Sequence, residues 1–201
     1  MPDRLAANAT GIAMAANLLR GGALVAFPTD TVYGIGCRAD DPQATERLFA
    51  AKRRAPDKAI PWLIGSLDEA VALGFIADGK VRDAAARFWP GGLTIVLPGV
   101  DGEPGQAFRI PDHPVPLALV AAVGPLATSS ANRSGEPETL DADEVAIAFA
   151  DSDEPAATID GGPVPGGLAS SVLDMTGERP RLVREGALSR SELEAVIGPI
   201  D

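Results

Sequence analysis

The sequence predicts an α/β fold built on one mixed sheet flanked by helices. Three observations carry that expectation. Segments of helical periodicity alternate with short aliphatic runs bounded by Gly or Pro. Some neighbouring runs are joined by connections too short for a crossover helix, so part of the sheet must be antiparallel. Of the 201 residues 46% are apolar, with no repeat or composition break, so a single domain over residues 1–201 is expected.

Residues 10–20 set Ile12, Ala15, Ala16 and Leu19 at helical spacing, with Thr10 as the expected N-cap and Gly21-Gly22 as the stop. The run 23–27 reads as a buried strand that leads into FPTDTVYGIG (27–36). There Pro28 cannot donate to a ladder, and Gly34 and Gly36 are expected to let the chain turn tightly. Between them, Thr29, Asp30, Thr31 and Tyr33 are free to face a small polar ligand. Asp41-Pro42 opens a helix with Leu48 and Phe49 inward and Lys52, Arg53 and Arg54 in its last turn. A strand at 62–64, a Ser66-capped helix to about Leu73 and an amphipathic helix over 79–89 follow. Residues 93–97, LTIVL, form the clearest strand, being β-branched and aliphatic between Gly92 and Pro98. Arg109 sits on a short strand that prolines stop, 115–123 is an apolar helix and 126–128 a strand. Residues 129–137 read as a loop, 142–150 as a helix, and 171–174 and 181–183 as strands. Ser189 caps a closing helix with Glu192 placed for a capping box.

Composition excludes several classes. The only cysteine, Cys37, permits neither a disulfide nor a cysteine-rich zinc site within one chain, and a structural thiol is expected. One histidine, His113, rules out a multi-histidine metal site, so no metal-ligating set is assigned; beside Pro114 it is expected to be structural. Net charge −11 argues against general nucleic-acid binding unless the basic residues gather on one face. No apolar run approaches the ~20 residues of a membrane span, and MPDRLAANAT lacks a signal-peptide pattern, so a cytoplasmic protein without membrane contact is expected.

The segments that can carry chemistry are hydroxyl-rich or basic, and lie beside the strands. No Gly-x-x-x-x-Gly-Lys-Ser/Thr loop occurs and no Gly-x-Gly-x-x-Gly follows the first strand, so a nucleotide would need another arrangement. In AKRRAPDKAIP (51–61), Lys52, Arg54 and Lys58 lie close together. Either they are a solvated helix end, worth ~0.3–1 kcal/mol through the dipole, or an anion clamp whose charge-assisted bonds are worth ~1.5–3 kcal/mol each. Arg109 in FRIPDHP is either ion-paired or free to fork onto a ligand carboxylate. TSSANRSG (128–135) is either a capping loop or a socket for hydroxyls and phosphates. Ser170-Ser171 opens a further strand, and Arg184 ends the next before Gly186.

In this order the segments FPTDTVYGIG, Lys52-x-Arg54 with Lys58, WPGGLTIVL, FRIPDHP, TSSANRSGEP and ASSVLDMTGERPRLVREG resemble the YrdC family of threonylcarbamoyl-AMP synthases, over residues 24–186. The chain resembles the short single-domain form. The resemblance implies a twisted α/β sheet with a concave active-site cleft. It implies a nucleotidyltransferase that joins L-threonine, bicarbonate and ATP into L-threonylcarbamoyladenylate, releases pyrophosphate and supplies the tRNA threonylcarbamoyl-transfer machinery. By position, Thr31, Arg109, Ser129 and Ser170 match threonine-binding residues. Lys52 and Arg54 match the catalytic basic pair, which also binds ATP together with Lys58, Ser130, Asn132 and Arg184. Mg2+ is expected to accompany ATP. The sequence departs from the family at Ala59, where Pro or Asn is common, at Gly92, expected to loosen a turn where Pro is common, and at Ser171, where Thr is common. Two related activities fit less well. Carbamoyl-adenylate formation from carbamoyl phosphate belongs to larger, cysteine-rich chains, and an RNA-binding or ribosome-assembly role, with at most a weak RNA contact, conflicts with the acidic charge.

Overall fold

The structure, a computed structural model, describes residues 3–55, 59–165 and 167–201. The strands are β1 (Asp3–Ala6), β2 (Val25–Phe27), β3 (Gly34–Arg38), β4 (Trp62–Leu63), β5 (Leu93–Leu97), β6 (Gln106–Arg109), β7 (Leu126–Ser130), β8 (Ala157–Asp160), β9 (Ser171–Asp174) and β10 (Arg181–Arg184). The helices are α1 (Ala9–Arg20), α2 (Pro42–Ala51), α3 (Leu67–Ala72), α4 (Gly79–Phe88), α5 (Pro114–Val123), α6 (Ala142–Ala148) and α7 (Arg190–Ile197). The described strands form one sheet in the order β1-β8-β2-β3-β7-β4-β6-β5-β9-β10. It is mixed as expected: β8 runs parallel to β1 and β2, whereas β3 is antiparallel to both β2 and β7.

Helices cover both faces because successive strand residues point to opposite sides. On β2, Ala26 packs with Leu48 of α2 and Val145 of α6, while Val25 and Phe27 pack with Leu19 of α1 and Leu119 of α5. A third apolar cluster joins Phe88 of α4 and Leu193 of α7 to Ile95, Phe108 and Leu173 of β5, β6 and β9. The Ser189–Glu192 capping box forms as read.

Several local expectations are corrected. The cap of α1 is Asn8, whose side chain accepts from Gly11 N at 3.0 Å; Thr10 lies inside the first turn. Gly34 and Gly36 do not turn the chain but pair within β3, where a Cβ on Gly36 would lie 2.7 Å from Thr128 Oγ1 and 2.9 Å from Ala127 O. They are glycines because β7 lies against them. Ser129 and Ser130 belong to β7 rather than to a loop, opposite Ile35 and Gly34. Helix α2 stops at Ala51, so Lys52 is its C-cap and Arg53, at φ 51°, and Arg54 lie beyond it. Gly92 lies in the turn before β5, where a Cβ would be 2.7 Å from the Cβ of Ala187, so the glycine also lets the 185–188 segment approach. Strands β1, β3 and β8 had no counterpart in the sequence reading.

Candidate active site

The loop between β2 and β3 is fixed from within. Thr29 Oγ1 donates to Val32 O at 2.7 Å, accepts from Thr31 N at 3.1 Å, and lies 3.0 Å from Thr31 Oγ1. Thr29 and Thr31 are both buried, so their hydroxyls need such partners. Thr31 also accepts from Arg109, at the end of β6, although three strands stand between β2 and β6 in the sheet. The guanidinium makes three bonds: Nη1 to Thr31 Oγ1 at 2.9 Å, Nη2 to Asp30 Oδ1 at 2.7 Å, and Nε to Gly91 O at 2.9 Å. Burial lowers the Arg109 pKa from its usual value, while Asp30 raises it and Arg184 lowers it further. A guanidinium carries five N–H groups. Three are used here, which leaves one each on Nη1 and Nη2, and such a pair has the chemistry to fork onto a carboxylate.

Beside this cluster, Ser170 and Thr94 share a hydrogen bond of 2.8 Å, both buried. Arg184 donates from Nε and Nη2 to Ser170 O at 3.0 and 2.8 Å, with Nη2 also 3.3 Å from Ser170 Oγ. Ser171 holds the framework behind them: its hydroxyl donates to Leu188 O and accepts from Gly186 N and Leu188 N.

The second cluster surrounds Lys52. This side chain is 2% exposed, which excludes the solvated helix end. Its ammonium donates to Ser130 O and, at 2.6 Å, to Asn132 O, while its own carbonyl accepts from Ser134 N at 3.0 Å. Burial pushes its pKa down to about 8. Ser130 Oγ donates to Asn132 Oδ1 at 2.6 Å, and Asn132 Nδ2 donates to Glu136 O at 2.6 Å, so the loop caps itself. Ser129 makes no side-chain hydrogen bond among the described residues and is half-buried. Arg54 Nη2 donates to Ala59 O at 3.0 Å, whereas Arg53 points away onto Asp151 at 2.5 Å. Lys58 lies outside the described residues. The clusters are joined by backbone: Ala131 N donates to Tyr33 O and Tyr33 N to Thr139 O, at 2.7 and 2.8 Å.

The family model for Sua5, YciO and YrdC, described as telomere recombination, matches residues 17–186. The chain belongs to this family. The threonylcarbamoyl-AMP synthase of Bacillus subtilis is 40% identical over 98% of this chain and 60% of its own length. P. abyssi Sua5 complexed with L-threonine superposes with a TM-score of 0.90 at 38% identity, covering 100% of this chain and 61% of that one. The chain thus spans about three-fifths of these two relatives, whereas a Mycobacterium tuberculosis relative, 37% identical over 94% of this chain, is covered over 89% of its length.

Within this family fold, Thr31, Arg109, Ser170 and Arg184 are drawn together, as are Lys52, Ser130 and Asn132. The sequence reading places Thr29 and Asp30 where they can face a ligand but gives neither a role, and it does not single out Thr94. Thr94 carried a signal: Leu93, Ile95 and Leu97 are core, and strand alternation puts the residue between them on another face. Asp30 stands in the motif, but its ion pair with Arg109 spans 79 positions, which no local pattern contains. His113 is structural as expected, its Nδ1 accepting from Val115 N at the start of α5, with burial lowering its pKa. Cys37 is buried, and burial pushes its thiol up to about 11. Among the described residues no helix is long and apolar enough to cross a membrane.

Proposed function

We propose that this chain is an L-threonylcarbamoyladenylate synthase, a cytoplasmic nucleotidyltransferase that uses L-threonine, bicarbonate and ATP. The observation that carries the reading is the buried Arg109 fork, with two N–H groups left over beside Thr31 and Ser170. It supports a small amino acid held by its carboxylate and hydroxyl, and the names of the relatives point the same way. Threonine's carboxylate would take the Arg109 fork and its hydroxyl would meet Thr31 and Ser170, with Ser129 available nearby. Its amine would add to bicarbonate or CO2 to give an N-carboxylate, one oxygen of which would attack the α-phosphate of ATP in line and displace pyrophosphate. No protein nucleophile is required. The chain's work is to position the reactants and neutralise charge.

In this reading Arg184, Arg54 and Lys52 face the phosphates, and Lys58 keeps the ATP-binding role that the resemblance implies. Ser130 and Asn132 contact the nucleotide. Lys52 holds their carbonyls in the free protein and, still an ammonium, donates a hydrogen bond to a phosphate oxygen when ATP arrives. Mg2+ is commonly held by one or two carboxylates together with substrate phosphates. With no group of three or more ligating side chains among the described residues, it would enter on the nucleotide and neutralise phosphate charge there. The product would be consumed by a transferase acting on tRNA.

The test is pyrophosphate release from ATP with bicarbonate and L-threonine, omitting each in turn. Dependence on all three is expected. Release that ignores threonine, or that requires carbamoyl phosphate, refutes the proposal.

A further inference from the structure

Neutral oxygens alone hold the buried ammonium of Lys52: the carbonyls of Ser130 and Asn132, with Asn132 Oδ1 at 3.5 Å. It makes no ion pair with a carboxylate among the described residues. A charge removed from water in this way is expensive unless an opposite charge offsets it. On the same loop, Glu138 Oε2 is shielded from solvent and has no hydrogen-bond partner among the described residues. The loop brings the two together. Thr139 Oγ1 donates to Ala131 O at 3.1 Å and its carbonyl accepts from Tyr33 N at 2.8 Å, so the chain at 138–139 folds back onto Ala131, the residue between the two whose carbonyls hold Lys52. The charged groups acting on Lys52 are Glu138, which favours the ammonium, and Arg54 and Arg133, which disfavour it.

We infer that Glu138 is a positioning residue for the nucleotide half of the site, its carboxylate supplying the negative charge that keeps Lys52 an ammonium. The separation matters. A carboxylate in contact with the ammonium would hold it as an ion pair and compete with the phosphates. Coulomb attraction falls only as the inverse of distance, whereas a hydrogen bond is gone beyond about 3.5 Å. From its place on the loop Glu138 therefore keeps the proton on Lys52 without capturing the group. The inference rests on the proposed role of Lys52 as a cation that meets phosphate, and it deepens that role.

The chain has three lysines, Lys52, Lys58 and Lys80, so a 13Cε-lysine NMR titration is resolvable, with Lys58→Arg and Lys80→Arg assigning the signals. The Lys52 midpoint is expected near about 8 in the wild type. In Glu138→Gln it should fall by about one unit, the scale of a lost neighbouring opposite charge. The alkaline limb of pyrophosphate release should move down by the same interval, while activity at low pH is retained. A purely structural Glu138 would instead lower activity evenly at all pH. An unchanged midpoint in a folded Glu138→Gln variant overturns the inference. Should that variant fail to fold, Glu138→Asp serves in its place: it must shift the midpoint down by a smaller amount, and no shift overturns the inference equally. If pyrophosphate release proves independent of threonine, the proposed reaction falls, while the lysine midpoint still decides whether Glu138 controls Lys52.

Discussion

Replacing Arg109 by Met tests the proposed threonine half of the site through stability as well as through activity. The guanidinium makes three bonds of 2.7 to 2.9 Å, one of them an ion pair with Asp30 in which the side chains are 9% and 16% exposed. Removing one partner of such a buried pair costs about 3–5 kcal/mol, because the other charge is left without compensation. Thr31 Oγ1 and Gly91 O lose a donor in the same step. We expect Arg109→Met to destabilise the fold by about 4 kcal/mol, a large part of the ~5–15 kcal/mol typical of a domain. Asp30→Asn/Arg109→Met should recover some of this, with a coupling of about 1–3 kcal/mol in the double-mutant cycle, since an amide is far cheaper to strand than a carboxylate. The assay is urea unfolding at constant m value, read from the midpoint. Arg109→Lys keeps the charge but loses the fork, so it should fold better than the Met variant while requiring far more threonine for turnover. A single Met variant within about 0.5 kcal/mol of wild type, with an additive cycle, would refute the reasoning.

Lys52 gives activity and stability opposite responses to pH. Its folded pKa, about 8, lies below the ordinary 10.5, so above about 8 the unfolded chain binds the extra proton and stability rises with pH up to about 10.5, by on the order of 3 kcal/mol. Below about 8 both states are protonated and this contribution is flat. Denaturant unfolding between pH 7 and 10 should show the rise in the wild type and its loss in Lys52→Met, while turnover falls over the same interval. Gly36→Ala should cost about 1–3 kcal/mol, since the new methyl would meet the Ala127 carbonyl at 2.9 Å and the Thr128 hydroxyl at 2.7 Å; thermal unfolding measures it. Cys37 is buried with its thiol raised to about 11, so an aromatic disulfide reagent should modify it only as fast as the protein opens, and immediately in denaturant.

Where elements were visible in the sequence, they were visible for physical reasons. Strand β5 is β-branched and aliphatic between Gly92 and Pro98, and α7 carries its own capping box, so each is specified locally. Strand β3, GIGCR, lacks strand propensity because its glycines answer to the neighbouring β7, a tertiary constraint with no local trace. Strands β1 and β8 are short, and their pairing joins residues about 150 positions apart. The site divides in the same way. Its residue types stood out as hydroxyls and cations beside strands, and the motif order exposed the family. The partners were not legible: Lys52 reaches carbonyls 78 and 80 positions away and Arg109 a carboxylate 79 positions away. Hence the sequence leaves Lys52 open between a helix-end cation and an anion clamp, and places Asp30 near a ligand without its arginine partner.

The central claim is that one chain joins threonine, bicarbonate and ATP. It is tested most directly by supplying 13C-bicarbonate with ATP and L-threonine and examining the nucleotide products by mass spectrometry. Threonylcarbamoyl-AMP carrying the 13C label is expected, formed with pyrophosphate and lost in Arg109→Lys at low threonine. An unlabelled product, or AMP and pyrophosphate formed equally well without threonine, would contradict it.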